Sequence, residues 1–191
     1  MPRTSPIPHE LAKLAALQED FSAALSVATR ALGPLLKREK TGGIATEAAI
    51  YSRTDRGAVA HVPVRLKSPI RVAELYRRPH VIGVLVAPNA IRERVTEVIV
   101  PPGAYAVKLR PVSCSEFAFD FIGANGRRML AAPAQMKPGR TPEEDSRLSD
   151  FYSIDIEIDP PDDILNPFHT YLCLSFLFWR TCLDFPKPKG P

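Results

Sequence analysis

Between residues 8 and 36 apolar side chains recur every three or four positions: Leu14, Leu17, Phe21, Leu25, Ala28, Leu32 and Leu35. That spacing matches the turn of an α-helix, and Lys13, Glu19, Asp20, Ser26 and Arg30 fall off the stripe. Pro8 and Glu10 suit a first helical turn. Gly33-Pro34 predicts an end or a kink, because proline lacks the N–H and crowds the turn before it. The run Lys37-Arg38-Glu39-Lys40 follows, and Gly42-Gly43 reads as a hinge that would leave the helix detachable.

From residue 44 the period changes to two. Short β-rich runs are expected near 44–52, 58–66, 70–76, 81–87, 94–100, 104–110, 116–122, 128–132, 151–158 and 170–179, about one every 8–12 residues, which is the signature of a sandwich or barrel. Along one run Tyr105, Val107 and Leu109 alternate with Lys108 and Arg110, and Phe117, Phe119 and Phe121 form another apolar row. Asp55-Arg56-Gly57 suits a hairpin. Pro101-Pro102-Gly103 suits a type II turn, and Asn125-Gly126 predicts a type I′ hairpin. Residues 133–149 read as a long, polar, proline-broken loop. The expected architecture is mainly β, an antiparallel β-sandwich or barrel-like domain over residues 41–191 with a Pro-rich C-terminal tail. One long amphipathic helix precedes it within residues 1–40.

Composition narrows this further. Hydrophobic residues make up 45% of the 191 and charged residues 24%, the mix of a soluble globular protein, which excludes whole-chain disorder. Twenty prolines against ten glycines exclude a helical bundle. No apolar run approaches the roughly 20 residues that span a bilayer as a helix. Three cysteines, Cys114, Cys173 and Cys182, cannot all pair within one chain. Their sparse, odd number and the absence of an export signal point to the cytoplasm, with Cys173 and Cys182 as buried thiols. The net charge of +4 is uneven: residues 37–78 hold ten basic and four acidic side chains, and residues 143–163 hold nine acidic and one basic. The two segments are expected to compensate each other. A nucleic-acid partner is not expected, since no basic residue interleaves the Phe117–Phe121 row.

Candidate chemistry is thin. On a strand, Asp155, Glu157 and Asp159 share one face and Ile154, Ile156 and Ile158 the other. An oxygen cluster of this kind is what Ca²⁺ takes, yet alternating charge is also how an exposed strand resists edge-to-edge pairing, and the solvated face is the expectation. His9, His61, His80 and His169 do not make a zinc pattern, with His169 and Cys173 the most that could be assembled. Phosphate-loop and nucleophile-elbow motifs are absent, and no cofactor is expected.

The function expected is a non-catalytic interaction or assembly module in which helix and β-domain each offer a surface. Its partner would be a protein or a second copy, met through Leu14, Leu17, Phe21, Leu25 and Leu32. Two alternatives stay open. One is a metal-binding module or enzyme using Asp155, Glu157 and Asp159. The other is a membrane-active protein using the helix, since in outline a basic β-sandwich with an N-terminal amphipathic helix resembles the pore-forming actinoporins. That resemblance would imply exposed tryptophans and tyrosines for lipid. This chain departs from it, with its single tryptophan, Trp179, inside a core-like run.

Overall fold

In the computed structural model, described for residues 8–137, 147–148, 150–152, 154–159 and 171–186 and for side chains other than those of 8–15, 158 and 159, the chain begins with helix α1 (Pro8–Arg38). The strands follow: β1 (Ile50–Arg53), β2 (Ala58–Pro63), β3 (Ile70–Arg71), β4 (His80–Ala87), β5 (Ile91–Glu93), β6 (Ile99–Val100) and β7 (Gly103–Pro111). After them come β8 (Phe117–Ile122), β9 (Arg128–Met136), β10 (Arg147–Leu148), β11 (Ile154–Asp159), β12 (Tyr171–Phe176) and β13 (Trp179–Asp184). Eleven of the described strands make one antiparallel sheet in the order β1-β2-β4-β7-β8-β9-β13-β12-β11, with the β5–β6 hairpin joined to β13. Its outer strands β1 and β11 approach each other, so the sheet is nearly closed and barrel-like. Of the expected architectures, the barrel-like form with one helix is the one adopted. The short strand β10 pairs with β3 in a separate two-stranded sheet.

Helix α1 lies across β1, β4 and β7. Strands β2 and β4 are buried at every position, including alternate ones. Both faces of these strands are therefore covered, one by the barrel interior and one by the helix side of the fold. Phe21, Ala28, Leu32, Leu35 and Leu36 belong to the same continuous core as the sheet, and Phe21 meets Tyr51 of β1 with ring centroids 5.8 Å apart. The interior is aromatic at one end, where Trp179 lies 4.3 Å from Phe117 and 5.7 Å from Tyr76 between centroids. The Phe117–Phe121 row is core, as its alternation implies.

Several local expectations are corrected. Pro34 neither ends nor breaks the helix, which continues to Arg38. Burial of Leu32, Leu35 and Leu36 offsets the lost hydrogen bond, because each such side chain contributes roughly 1.5–3 kcal/mol. The helix ends instead at Lys40, in the left-handed region at φ 57, and Thr41 N–H donates to the Leu36 carbonyl at 3.2 Å, a Schellman closure. Gly42-Gly43 is no hinge. Gly42 N–H donates to the Arg65 carbonyl at 2.9 Å and Arg65 N–H to the Gly43 carbonyl at 2.8 Å. A Cβ on Gly42 would sit 2.9 Å from the Arg65 oxygen, so the close approach requires glycine.

Asp55-Arg56-Gly57 does turn β1 into β2, closed by Thr54 N–H on the Gly57 carbonyl. At Asn125-Gly126 only Gly126 has positive φ. The β8–β9 turn is therefore not type I′, and Asn125 Oδ1 accepts from Arg127 N–H at 2.9 Å. Pro101-Pro102 joins β6 to β7, which do not pair. The run 70–76 is a two-residue strand followed by a 3-10 turn at Val72–Tyr76. The run 94–100 lies mostly in the β5–β6 connection. The run 170–179 is half of a hairpin that reverses at Leu177-Phe178. Of the expected loop 133–149, Pro133–Met136 belong to β9 and Arg147–Leu148 to β10, and residues 138–146 lie outside the described residues. The tail from 187 on lies outside the described residues.

Candidate functional site

The structure divides the predicted helix stripe. Phe21 is 2% exposed and Leu32 is fully buried. As partner contacts these two are corrected: the protein's own sheet covers them. Leu17 and Leu25 are half-buried, and Leu14 lies outside the described side chains. Apolar surface is instead free one flank over. Ala23, Val27 and Ala31, each four residues apart, line a groove of about 570 Å3 with Pro88, Pro102 and Ala124. Among the described residues no charged side chain lines it, and Val27 is 67% exposed. The small side chains explain the groove: alanine and glycine leave room that leucine would fill.

The largest exposed aliphatic cluster in sequence lies on the β5–β6 hairpin, at Val95, Val98 and Ile99. This hairpin is firmly built. Glu93 is fully buried, and its carboxylate accepts from Val95 N–H at 3.0 Å, Thr96 N–H at 2.6 Å and the Thr96 hydroxyl at 2.7 Å. Glu97 takes the positive φ that closes the turn. Arg92 grips the buried Asp184 carboxylate of β13 through two hydrogen bonds of 3.0 and 2.6 Å, a charge-assisted fork, which raises the Arg92 pKa. Arg94 N–H donates to the Cys182 carbonyl, and its guanidinium lies 4.7 Å from the Tyr171 ring centroid.

A third feature is a basic cleft of about 320 Å3. Lys40, Arg65, Lys67 and Arg78 reach it from three connections, and all four belong to the basic segment 37–78. Glu39, also at the cleft, is engaged by Lys108 at 2.8 Å, and Arg65 is engaged by Glu47. Lys40, Lys67 and Arg78 form no ion pair among the described residues. At the cleft wall His80 Nδ1 lies 3.0 Å from the Tyr152 hydroxyl, and His80 is 8% exposed. Its Nε2 is buried without a hydrogen-bond partner among the described residues. Burial lowers the His80 pKa, reinforced by Arg78 and opposed by the carbonyl and carboxylate of Glu74. Burial pushes Tyr152 up to about 12. The phenol therefore stays protonated at neutral pH, and its hydrogen bond with Nδ1 runs in the direction that the imidazole tautomer sets.

Two of the three candidate carboxylates, Asp155 and Glu157, lie among the described side chains. Both are exposed on β11, and Glu157 is held by Lys137 at 2.7 Å, so its partner follows the end of β9 and is not in the basic segment. The Asp159 side chain lies outside the described set. Among the described residues no three metal-capable side chains converge. Cys173 and Cys182 are corrected from free thiols to a disulfide that joins directly opposed positions of β12 and β13. Only Cys114 is free, and it is exposed. Because disulfides are rare in a reducing compartment, the cysteines do not point to the cytoplasm. No described helix is long and apolar enough to cross a membrane.

No family model matches this chain, and neither does any curated protein or solved structure.

The strongest features were thus hidden from a linear reading. Glu93 sits among Arg92, Arg94 and Glu97 and looks like one charge in a solvated run. Lys40, Lys67 and Arg78 are separated by up to 38 residues. The only available signal was the density of cations across 37–78.

Proposed function

We propose that the chain is a non-catalytic assembly module that binds a second copy of itself, with the β5–β6 hairpin of one copy seated in the groove beside α1 of the other. One observation carries the reading: the chain presents both halves of an apolar contact. The groove is small-residued and uncharged. The hairpin is held rigid by Glu93 and Arg92 and exposes Val95, Val98 and Ile99 at 52%, 42% and 55%. Rigidity matters, because a preorganised hairpin loses little entropy on docking. Burying the exposed half of three aliphatic side chains contributes roughly 2–4 kcal/mol per hairpin, most of it consumed by association. The contact is therefore weak and depends on concentration. A reciprocal arrangement closes a dimer, and a head-to-tail one builds a chain of copies.

The membrane-active reading would require α1 to leave the sheet, exposing Phe21, Leu32, Leu35 and Leu36 and opening the core. The metal reading lacks a convergent set of ligands among the described residues.

Sedimentation velocity over a concentration series tests the proposal. The wild type sediments faster as concentration rises, and Val27→Glu and Ile99→Lys each stay monomeric. An equimolar mixture of the two variants recovers a dimer and nothing larger, because one intact hairpin meets one intact groove. A wild type that stays monomeric at the highest attainable concentration, or variants that associate as it does, overturns the proposal.

A further inference from the structure

We infer that the basic cleft is a binding site for a small phosphomonoester. It lies at the other end of α1's connection from the apolar groove and stands independently of the assembly reading.

The inference begins with charge. Cations on a protein surface are ordinarily met by carboxylates or dispersed. Here Lys40, Lys67 and Arg78 converge on one concavity with no ion pair among the described residues, and its one lining carboxylate, Glu39, is drawn away by Lys108. Arg65 stands beside them, held by Glu47. The balance inside the cleft is cationic, and its concave walls concentrate that field.

The second observation is a polar group waiting in the wall. His80 is more than nine-tenths buried, and Nε2 has no partner among the described residues. Tyr152 occupies the opposite nitrogen, so Nε2 is the polar atom of this lining residue that has no partner among the described residues. A buried polar atom left unsatisfied is costly and rare in native structures. Thr41 and Ser68 hydroxyls also line the cleft. Three cations unpaired among the described residues and two hydroxyls outweigh the one lining carboxylate, Glu39, and a phosphomonoester dianion offers acceptors that each of them can meet. Arg78 can meet two of its oxygens at once, while the lysines act as point charges.

The third observation is strain. Lys40 occupies left-handed backbone, where glycine is the ordinary residue. A side chain kept there at a conformational cost is consistent with a role for its ammonium group. The cleft's volume of about 320 Å3 is at the lower end of the range for small-molecule pockets, which selects a compact ligand over a polymer.

Titration of the full-length protein with inorganic phosphate and with glycerol 3-phosphate, followed by backbone amide NMR at constant ionic strength, tests the inference. Both ligands are expected to give saturable shifts at Lys40, Thr41, Ser68, His80 and Tyr152, and chloride to give none. Glycerol 3-phosphate should bind at least as well as phosphate. Lys67→Gln with Arg78→Gln, both on exposed positions, should weaken binding by about tenfold or more while leaving the remaining spectrum unchanged. Lys40→Gly tests the same charge without risk to the fold and should also weaken binding. Linear, non-saturable shifts, or saturable shifts that survive these substitutions, overturn the inference. So does binding confined to phosphatidylinositol-phosphate vesicles with no response to glycerol 3-phosphate, which would make the cleft a membrane contact. Neither result bears on self-association, which Val27→Glu and Ile99→Lys report separately.

Discussion

Lowering the pH from 7 to 5 should destabilise this protein, and His61 carries a share of the loss that can be isolated. It lies at the middle of β2, fully buried, opposite Leu85 of β4. Its ring leans over Gly83: a Cβ there would lie 2.2 Å from His61 Nε2, which is why the neighbouring strand carries a glycine. Neither ring nitrogen has a hydrogen-bond partner among the described residues. Burial alone lowers the pKa from 6.5 to about 3, so the folded protein keeps the imidazole neutral while the unfolded chain takes up a proton below 6.5. The stabilisation is therefore complete above the unfolded pKa and is lost as pH falls from 6.5 toward 3. At pH 5 the loss is about 1.5 pH units at 1.36 kcal/mol each, or about 2 kcal/mol.

His61→Leu keeps a similar volume and removes both the proton site and two unsatisfied buried nitrogens. Its stability at neutral pH should stay within about 1.5 kcal/mol of the wild type. Urea unfolding of both proteins at pH 7, 6 and 5 provides the measurement. The expected result is a wild type that loses about 2 kcal/mol more than the variant over that interval. His80, also depressed by burial, acts in both proteins and cancels in the difference. Parallel stability–pH curves would refute the reasoning, for they would mean that the folded protein accommodates the imidazolium.

Three further outcomes follow from particular contacts. Glu93→Ala removes the acceptor for three donors in the β5–β6 turn and should cost about 2–4 kcal/mol, with amide exchange at residues 95–98 accelerating before the rest of the sheet. Cys173→Ser with Cys182→Ser opens a loop with a sequence separation of 9 and should cost about 2–3 kcal/mol by the loop-closure estimate, read as a lower midpoint in the same denaturant series. Lys40→Gly relieves the left-handed backbone at the end of α1 and should stabilise the protein by about 1 kcal/mol, seen as a higher thermal midpoint even as phosphate binding weakens.

Much of the fold was legible because it is written in local periodicity. The 3.6-residue spacing of Phe21, Ala28, Leu32 and Leu35 and the alternation of Tyr105, Val107 and Leu109 each match the observed burial. What failed was the reading of single punctuating residues. Pro34 stays helical because the leucines around it are buried, and Pro133 is accommodated in β9. Gly42-Gly43 is pinned to Arg65, a partner more than twenty residues away. Sequence spacing could not separate a strand from a hairpin at 170–179, since Leu177 supplies its turn with a positive φ at 50° that a leucine does not advertise. The candidate site was less legible. The stripe residues Phe21 and Leu32 turned inward, and the useful helix surface proved to be the alanine-rich flank that composition hides. The cleft depends on which loops meet, and only the sheet order decides that.

In the proposed assembly, one copy's β5–β6 hairpin is seated beside another copy's helix. Proximity cross-linking tests it most directly. In a background where the exposed Cys114 is replaced by serine, one tagged copy carries Val27→Cys and a differently tagged copy carries Ile99→Cys. Mild oxidation is predicted to give the mixed 27–99 dimer in high yield, while a control pair with Val112→Cys, equally exposed at 54% but distant from the groove, gives little. Equal yields from both pairs, or no 27–99 dimer at concentrations where the protein associates, would contradict the account.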